Sequence, residues 1–501
     1  MEYIKGMDIS SYQEMLDKGY KYFDCNGKQI DILEYAIENG FNYARVRIWN
    51  NPSNIPESGG YCSFDETLKL AKRIKELGIP YLLDFHYSDW WADPGNQKKP
   101  KEWAYLDGKD LINAVYEYTK DVLNKLAENN VSPSMVQVGN EIRCGMLWPD
   151  GSTEDYRTLA KLINAGIRGV RDSQNGSDIK IMLHLDQGGR YHYFEQWFDA
   201  MIRNGVEDFD IIGLSYYPFW HGTYQDLDET LTLLEERYQK DLIVAEVAYG
   251  YRLGDDSLFG KGQERLGGFK ASEDGQFAAL QIISGIINGV KNNRGKGFFY
   301  WEPFMRAENP SSWGYCMGIV DEDGKPLKAL ELMDTAFPIA VEAARKAYRK
   351  IKYVDDCSES ITGKNVLREI GFSNDLNNWE YSNPKNVTYE ITRSKETDVF
   401  RFSSSGNVKF NLTQHTDINK AGDYTVVVEY KGDNTTGVCV KPFIKLPDYR
   451  RETNIYPSDK MWTRGTIDIS LTEGVRVEVG VEIDSPEIKG EIRNIGLYLK
   501  E

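Results

Sequence analysis

Two glutamates stand at the C-terminal ends of strongly apolar segments, about a hundred residues apart. Glu141 closes the run Met-Val-Gln-Val-Gly-Asn-Glu, and Glu246 follows Leu-Ile-Val-Ala. A carboxylate at the edge of a buried sheet is costly unless it is solvated, paired or used in chemistry. On parallel strands of one barrel the two carboxylates would meet at the same rim, as double-displacement cleavage of a glycosidic bond requires.

Each glutamate has a chemical and a structural interpretation. Glu141 would serve as general acid and then general base, with its pKa raised near the second carboxylate. The alternative is a carboxylate that caps a loop or pairs with Arg143. Glu246 would be the nucleophile that forms a glycosyl-enzyme; the alternative is a buried ion pair with Arg47. The two interpretations of Glu246 are compatible, because an arginine keeps a nucleophilic carboxylate ionised.

Polar and aromatic side chains also end the other apolar segments. Asn140 is placed to hydrogen-bond a sugar 2-hydroxyl, and Tyr217 to donate its hydroxyl to the predicted nucleophile. Trp301 offers a flat face to a pyranose ring, and adjacent exposed indoles at Trp90 and Trp91 would be wasteful without a ligand. The predicted substrate-binding residues are Asp8, Arg47, His86, Trp90, Trp91, Asn140, Trp148, His184, Tyr217 and Trp301.

These binding residues have ordinary structural alternatives. Asn140 is also typical of a loop cap, His86 of a hydrogen-bonded core histidine, and Tyr217 or Trp301 of side-chain packing. The prediction of an enzyme therefore depends on the whole set of strand ends, because generic strand ends would be mixed and mostly small.

The first 340 residues or so alternate short apolar runs with amphipathic helical stretches. Most of the runs are apolar on both faces, as parallel strands covered by helices should be. Eight such alternations predict a (β/α)8 barrel, and no Gly-rich phosphate loop after the first run favours a doubly wound sheet. The predicted strands are Tyr3–Ile9, Tyr43–Trp49, Tyr81–Tyr87, Met135–Ile142, Ile179–Leu185, Ile211–Tyr217, Leu242–Tyr249 and Gly297–Trp301.

The pattern changes after a basic helical stretch at Val341–Tyr353. We predict a catalytic barrel domain over residues 1–354, a charged linker over 355–364 and an antiparallel β-sandwich over 365–501. Short alternating strands such as Tyr424–Tyr430, separated by Gly/Asn/Asp turns, are typical of such a sandwich.

Charge and hydropathy exclude several classes of partner. Lys+Arg 60 against Asp+Glu 77 gives a net charge of -17, which argues against nucleic acids and anionic membranes. No apolar run is long enough to span a bilayer, and no basic segment followed by an apolar core opens the chain. We therefore expect a monomer that binds a neutral saccharide, either retained in the cell or exported after removal of a signal peptide.

Neither cysteines nor acidic turns give a strong metal signal. Six cysteines without a close CxxC pair predict mostly free thiols, with at most one bridge, and no zinc site. Asp321-Glu-Asp-Gly and Asp255-Asp256 are weak candidates for a structural calcium ion, since neither has EF-hand spacing. We expect no catalytic metal or organic cofactor.

Five segments carry a family resemblance: Gly6-Met-Asp-Ile-Ser, Arg45-Val-Arg-Ile-Trp-Asn-Asn-Pro, Asp84-Phe-His-Tyr-Ser-Asp-Trp-Trp-Ala-Asp-Pro-Gly, Gln137-Val-Gly-Asn-Glu and Phe299-Tyr-Trp-Glu-Pro. In their order, from about residue 3 to residue 335, they resemble glycoside hydrolase family 53, the arabinogalactan endo-β-1,4-galactanases. The resemblance implies a retaining hydrolase of β-1,4-galactan side chains of pectin. It places Glu141 as acid/base and Glu246 as nucleophile, and matches Arg47, His86, Asn140, Tyr217 and Trp301 to motif positions.

The loops after the two glutamates depart from the family pattern. Ile-Arg-Cys follows Glu141 and Val-Ala-Tyr-Gly-Tyr follows Glu246, which bears on chain-length preference and not on the catalytic pair. Two other classes remain open: another retaining β-glycanase of the same clan, such as an endo-mannanase or endo-glucanase, and a non-catalytic carbohydrate-binding protein. The C-terminal sandwich resembles a carbohydrate-binding module, with candidate platforms at Trp379, Tyr449, Tyr456 and Trp462; a structural spacer is the alternative.

Overall fold

Two compact units, Met1–Ile351 and Lys352–Glu501, make up the chain in the computed structural model. The structure describes residues 2–255, 258–351 and 363–500, without 369–371, 373–375, 383, 394–397, 434–438, 448, 454, 456–460 and 486. The predicted linker at 355–364 lies outside the described residues as far as 362, so this boundary stays a prediction.

Eight parallel strands close into a barrel in the first unit. The strands are β1 Ile4–Asp8, β2 Tyr43–Ile48, β3 Tyr81–Phe85, β4 Met135–Val138, β5 Lys180–Leu185, β6 Ile211–Ser215, β7 Asp241–Val247 and β8 Gly295–Tyr300. Around the barrel the order is β1, β8, β7, β6, β5, β4, β3, β2. Nearly every strand residue is buried, which explains the apolar runs and confirms the predicted (β/α)8 fold.

Helices surround the barrel and bury one apolar face each. Ser63 begins α3 by accepting a hydrogen bond from the Glu66 N–H, and Thr223 forms a capping box with Asp226 at α7. The helices are α1 Tyr12–Asp17, α2 Ile32–Glu38, α3 Phe64–Glu76, α4 Gly108–Glu128, α5 Tyr156–Arg171, α6 Tyr191–Arg203, α7 Tyr224–Tyr238, α8 Lys261–Gly267, α9 Glu273–Asn288, α10 Trp313–Cys316, α11 Lys328–Glu331, α12 Met333–Ala336 and α13 Val341–Tyr348. Two short hairpins lie in the loops, Tyr22–Phe23 with Gln29–Ile30 and Gly145–Met146 with Gly151–Ser152.

An apolar plug fills the N-terminal half of the barrel interior. It includes Tyr43, Met182 and Phe299, and the Phe299 ring lies against the backbone of Gly6. A Cβ at Gly6 would come within 2.3 Å of that ring, so glycine leaves the room that the aromatic side chain occupies. With its lower half packed shut, the barrel is accessible to a ligand at its C-terminal rim.

Two antiparallel sheets form the second unit. The strands are β9 Lys364–Asn365, β10 Glu380–Tyr381, β11 Val387–Thr392, β12 Val399–Ser404, β13 Val408–Asp417, β14 Gly422–Gly432, β15 Cys439–Lys445, β16 Arg450–Glu452, β17 Thr463–Leu471, β18 Arg476–Ser485 and β19 Lys489–Leu499. The first sheet has the order β11, β12, β19, β14, β17, with β9 paired to β19, and the second has the order β10, β13, β18, β15, β16. A shared core of Phe402, Phe410, Val428 and Val481 joins the two sheets into a sandwich, as predicted.

The cysteines and acidic turns are characterised by the contacts that they make within the described parts of the chain. Cys25, Cys62, Cys144 and Cys316 are free, and Cys357 lies outside the described residues. Within those same parts, no group of three or more His, Cys, Asp or Glu side chains is arranged to hold a metal ion, and Asp321 accepts backbone N–H groups of its own turn. None of the described helices has the length and apolar character of a membrane span.

Candidate active site

The barrel brings the two predicted catalytic glutamates to one rim. Glu141 lies just beyond the end of β4, and Glu246 is the penultimate residue of β7. Glu141 has a left-handed backbone (φ 48°) and follows Gly139 (φ 82°), so the chain turns sharply where the strand ends. Ser215 at the end of β6 pairs in register with Glu246, and its hydroxyl donates to Oε1 of Glu141 over 2.6 Å. One serine thus lies beside both glutamates.

Glu246 is held by a cation and a phenol. Arg45 Nη1 lies 3.0 Å from its Oε1, and the Tyr217 hydroxyl donates to its Oε2 over 3.0 Å. Burial raises the pKa of Glu246, and the charge of Arg45 and the Tyr217 hydrogen bond oppose that rise. This carboxylate is therefore the better stabilised of the pair as an anion.

The arginine beside Glu246 is Arg45 and not Arg47, which corrects the sequence-based prediction. Both project from the same side of β2, because they are two residues apart. Arg45 is 1% exposed and also donates to Asp8 and Asp84 over 2.8 and 2.9 Å. The inward-facing carboxylates of Asp8 on β1, Asp84 on β3 and Glu246 on β7 need a buried cation, and this was the available sequence signal for Arg45.

Glu141 has the opposite electrostatic environment. Burial, followed by the negative charges of Glu246 and Asp186, raises its pKa well above the usual range. Arg143 does not pair with it, since Arg143 Nε donates to Asp186 Oδ1 over 2.8 Å. Glu141 therefore favours its protonated form, which a general acid needs at the start of the reaction.

A hydrogen-bonded chain joins the two halves of the site. Asn140 Oδ1 accepts from Arg45 Nη2 and from Gln137 Nε2, each over 3.0 Å. His184 bridges Asn140 and Ser215, with Nδ1 3.0 Å from Asn140 Oδ1 and Nε2 2.9 Å from Ser215 Oγ. Burial and the nearby Arg45 lower the pKa of His184 far below neutrality, so it fixes orientation as a neutral ring. Gln137 and Ser215 were not predicted from the sequence.

Several predicted binding residues lie beneath the site surface. His86 Nε2 contacts Asp84 Oδ2 at 3.0 Å, and its Nδ1 accepts from the Ala92 N–H over 3.1 Å. Asp8 Oδ1 accepts from Ser10 Oγ over 2.6 Å, and its other oxygen binds Arg45. These side chains contact protein groups and hold the rim in place, while direct contact with a substrate stays a prediction for each.

Arg47 belongs to a second buried ion pair. Its Nη1 lies 2.5 Å from Oε1 of Glu302, to which Ser11 Oγ also donates over 2.7 Å. Burial raises the pKa of Glu302 to about 7, against the opposing charge of Arg47. The guanidinium lies 4.1 Å from the centre of the Trp91 ring. Arg47 therefore supports an aromatic face of the site, together with Glu302, which was not among the predicted binding residues.

Tryptophans form a wall at the rim, here called the aromatic wall. Trp90 and Trp91 lie near Trp49, with ring centres 4.7 and 5.3 Å from it, and Trp91 lies 6.0 Å from Trp301. Trp301 meets Trp313 edge to face at 4.5 Å. The wall brings together three of the predicted indoles and adds Trp49 and Trp313. Trp148 is not among these residues; its indole Nε1–H donates a hydrogen bond to the Cys144 carbonyl oxygen over 2.9 Å.

A barrel rim with two carboxyl groups, one of them paired with an arginine, and an aromatic wall is the arrangement of a glycoside hydrolase. Residues 4–333 match the family model of glycosyl hydrolase family 53. The chain therefore belongs to glycosyl hydrolase family 53.

Proteins similar to this chain include two with a named activity and one solved catalytic domain. An arabinogalactan endo-β-1,4-galactanase A from Aspergillus niger is 36% identical over 304 residues, 60% of this chain and 84% of its own. An endo-β-1,4-galactanase from Bacillus subtilis is 37% identical over 321 residues, 62% of this chain and 72% of its own. A solved GH53 catalytic domain from Ignisphaera aggregans has a TM-score of 0.62 and 36% identity, covering 67% of this chain and 96% of that domain.

Proposed function

We propose that the barrel is a retaining endo-β-1,4-galactanase that hydrolyses galactan side chains of pectin. The observation that supports it most is the contrast between the two glutamates. Arg45 and Tyr217 favour the anionic form of Glu246, whereas Glu141 sits beside two negative charges that favour its protonated form. A nucleophile and an acid placed in this way are what double displacement needs.

The reaction proceeds in two balanced steps. Glu246 attacks the anomeric carbon while Glu141 gives its proton to the leaving glycosidic oxygen, so the C–O bond breaks as the glycosyl ester forms. Water then attacks the same carbon, Glu141 takes one of its protons, and Glu246 leaves as a carboxylate. Retention needs the two carboxyl groups about 5 Å apart, a distance compatible with Ser215 lying beside both.

The proposal of galactan as the substrate rests on the named activities of the relatives. The proposal of internal cleavage rests on the shape of the site. The aromatic wall runs over several ring widths, from Trp90 to Trp313, which suits a chain of sugars more than a single terminal unit. Incubation with linear galactan, mannan or cellulose, followed by sizing of the products, distinguishes a galactanase from an endo-mannanase or an endo-glucanase. Release of short and intermediate oligosaccharides from galactan alone is the expected result.

Two variants test the assigned roles. Glu246→Gln should lose turnover on every substrate, because no carboxylate can form the ester. Glu141→Gln should lose galactan hydrolysis but still release an activated aryl leaving group, which needs no protonation, in a single burst. The exposed Glu117→Gln on α4 is the matched control and should behave as the parent enzyme. Near-normal galactan hydrolysis by either site variant would contradict the mechanism, and absence of reducing-end release from the parent would favour a non-catalytic binding protein.

A further inference from the structure

A row of short polar contacts leads from Glu141 into the barrel and ends at Asn140. Glu141 Oε1 lies 2.6 Å from Ser215 Oγ. His184 continues the row, with its Nε2 2.9 Å from Ser215 Oγ and its Nδ1 3.0 Å from Asn140 Oδ1. Ser215, His184 and Asn140 are all buried, so an unmade hydrogen bond among them is costly. These four residues are here called the relay.

The orientation of the Asn140 amide is fixed by its other neighbours. Its Oδ1 lies 3.0 Å from Arg45 Nη2, and a guanidinium can only donate. Its Nδ2 donates to the Ala92 carbonyl over 2.9 Å. Oδ1 is therefore an acceptor, and the proton in its contact with His184 belongs to the ring Nδ1.

The tautomer of His184 sets the direction of the remaining hydrogen bonds. Burial and the nearby Arg45 lower the pKa of His184, so the ring carries a single N–H, which is at Nδ1. Nε2 then has only a lone pair, and Ser215 must donate its hydroxyl to it. The Ser215 oxygen in turn presents a lone pair to Glu141, so the proton in that 2.6 Å contact comes from the Glu141 carboxyl group.

The three contacts of the relay need three protons, while a neutral imidazole and a hydroxyl supply two. The third proton belongs either to a protonated Glu141 or to a doubly protonated His184. Burial and the charge of Arg45 disfavour a second proton on His184, and the carboxyl groups around Glu141 favour a proton there. The groups that act on Glu141 are Glu246, Asp186 and Asp93, and those that act on His184 are Arg45, Asp84, His86 and His221.

We propose that Ser215 and His184 hold Glu141 in its protonated form, and that the Ser215 hydroxyl reverses its direction whenever Glu141 loses its proton. In the resting site Glu141 donates to Ser215, and Ser215 donates to His184. Donation from Ser215 to Glu141 belongs to the carboxylate form. Ser215 and His184 are thus positioning residues, because they act through Glu141.

The reversal fits both steps of the reaction, and this part of the inference rests on the proposed function. When Glu141 gives its proton to the leaving glycosidic oxygen, it becomes a carboxylate. Ser215 then turns its O–H bond from His184 Nε2 to Glu141 Oε1 and keeps its own proton. When Glu141 takes a proton from water in the second step, the hydroxyl turns back.

Nitrogen NMR of the full chain, labelled with nitrogen-15 in its histidines, tests the proton positions without a substrate. Below the pKa of Glu141, His184 should carry its proton on Nδ1 and show a hydrogen-bonded Nε2. As pH rises through that pKa, the Nε2 resonance should shift to the position of a ring nitrogen without a donor, although His184 stays neutral. His86 is the internal reference for the other tautomer, because its Nδ1 accepts from the Ala92 N–H over 3.1 Å.

Two variants assign the shift to the relay. Glu141→Gln cannot ionise and its amide still donates to Ser215, so Nε2 should stay hydrogen-bonded across the whole titration. Ser215→Ala should give the resonance of a donor-free Nε2 throughout. Ser284→Ala is the matched control and should keep the shift, because the buried Ser284 hydroxyl donates to the Gln281 carbonyl over 2.9 Å in α9.

A proton on His184 Nε2 in the resting protein, alone or together with one on Nδ1, would overturn the inference. So would an Nε2 resonance that does not shift in the parent, or a shift that persists in Glu141→Gln. In the parent enzyme the midpoint of the shift should coincide with the alkaline limb of kcat/KM, and a different midpoint would separate the relay from the acid. Absence of galactan hydrolysis would count against the proposed function only, since the NMR titration needs no turnover.

Discussion

At the level of single residues, the roles proposed for the two glutamates depend on their neighbours. Both are carboxyl groups at strand ends, and burial raises the pKa of each. Only Glu246 lies beside a guanidinium, that of Arg45, while Glu141 lies beside Asp186. Chemically identical side chains therefore favour different protonation states, because one has a cation next to it and the other does not.

Removing one hydroxyl tests the stabilisation of the nucleophile. Tyr217→Phe deletes the hydrogen bond to Glu246 Oε2, which lowers the pKa of that carboxyl. A hydrogen bond to a charged group contributes roughly 1.5–3 kcal/mol, or about one to two pKa units. The nucleophile must be ionised, so the acid limb of the kcat/KM profile should move to higher pH by about that amount.

Tyr216→Phe is the matched control for this measurement. The Tyr216 hydroxyl donates to the Gly222 carbonyl over 3.0 Å, so its loss removes a buried phenol hydroxyl without touching a catalytic carboxylate. The control profile should keep its acid limb. Equal profiles for Tyr217→Phe and the parent would show that the phenol does not stabilise Glu246.

The alkaline limb of the pH profile should report the ionisation of Glu141, the proposed acid. Activity should fall as pH rises through the pKa of Glu141, because the proton needed by the leaving group is lost. Asp186→Asn removes a negative charge that raises this pKa and leaves the positive Arg143 nearby. The alkaline limb should therefore move to lower pH, whereas the exposed Asp172→Asn should leave it in place. An upward shift in Asp186→Asn would contradict the assignment of the acid.

At the level of elements, stability depends on how strands and helices accommodate side chains. In β1, Gly6→Ala would place a methyl group 2.3 Å from the Phe299 ring and overpack the barrel interior. In α8, a methyl group added at Gly262 would meet no atom within 4 Å, and this glycine occupies a helical turn. The two glycines therefore offer a matched pair of the same substitution.

We expect opposite effects on the free energy of unfolding. Gly6→Ala should destabilise the barrel by about 1–3 kcal/mol, the usual cost of overpacking. Gly262→Ala should be neutral or stabilising by up to about 1 kcal/mol, since alanine favours a helix over glycine. Urea unfolding followed by circular dichroism measures the free energy of unfolding of both variants. A stabilised Gly6→Ala variant would show that the barrel interior can accommodate another methyl group.

At the level of the whole molecule, two units with separate cores should unfold separately. The barrel core and the sandwich core contain no common residue. A chain that ends at Ile351 contains every active-site residue described above. It should hydrolyse short galacto-oligosaccharides at nearly the parent rate.

Calorimetry and kinetics check this division. The parent should show two thermal transitions, and the shortened chain should keep the one that belongs to the barrel. The shortened Glu246→Gln chain is the inactive control. A shortened chain that folds but loses its rate on short substrates would show that the barrel needs the second unit for catalysis.

The sequence alone predicted the fold, which the structure confirms, and it predicted that Glu141 and Glu246 lie at one rim of the barrel. Strand and helix periodicities are local properties, and eight apolar runs that alternate with helical stretches predicted the covered strands of a barrel. Because strand ends of a barrel share one rim, placing Glu141 and Glu246 at such ends was enough to bring them together.

Only the tertiary structure decided which side chains contact the two glutamates. Arg45 and Arg47 have the same orientation on β2, and only the stagger of the closed barrel shows that Arg45 reaches Glu246 while Arg47 reaches Glu302. The ion pair of Arg401 with Glu491 likewise depends on the register between two strands that are distant in sequence. Local sequence patterns determine which face of a strand a residue occupies. Long side chains, however, contact residues on other strands, and the partner that each one reaches is set by the register and stagger of the strands.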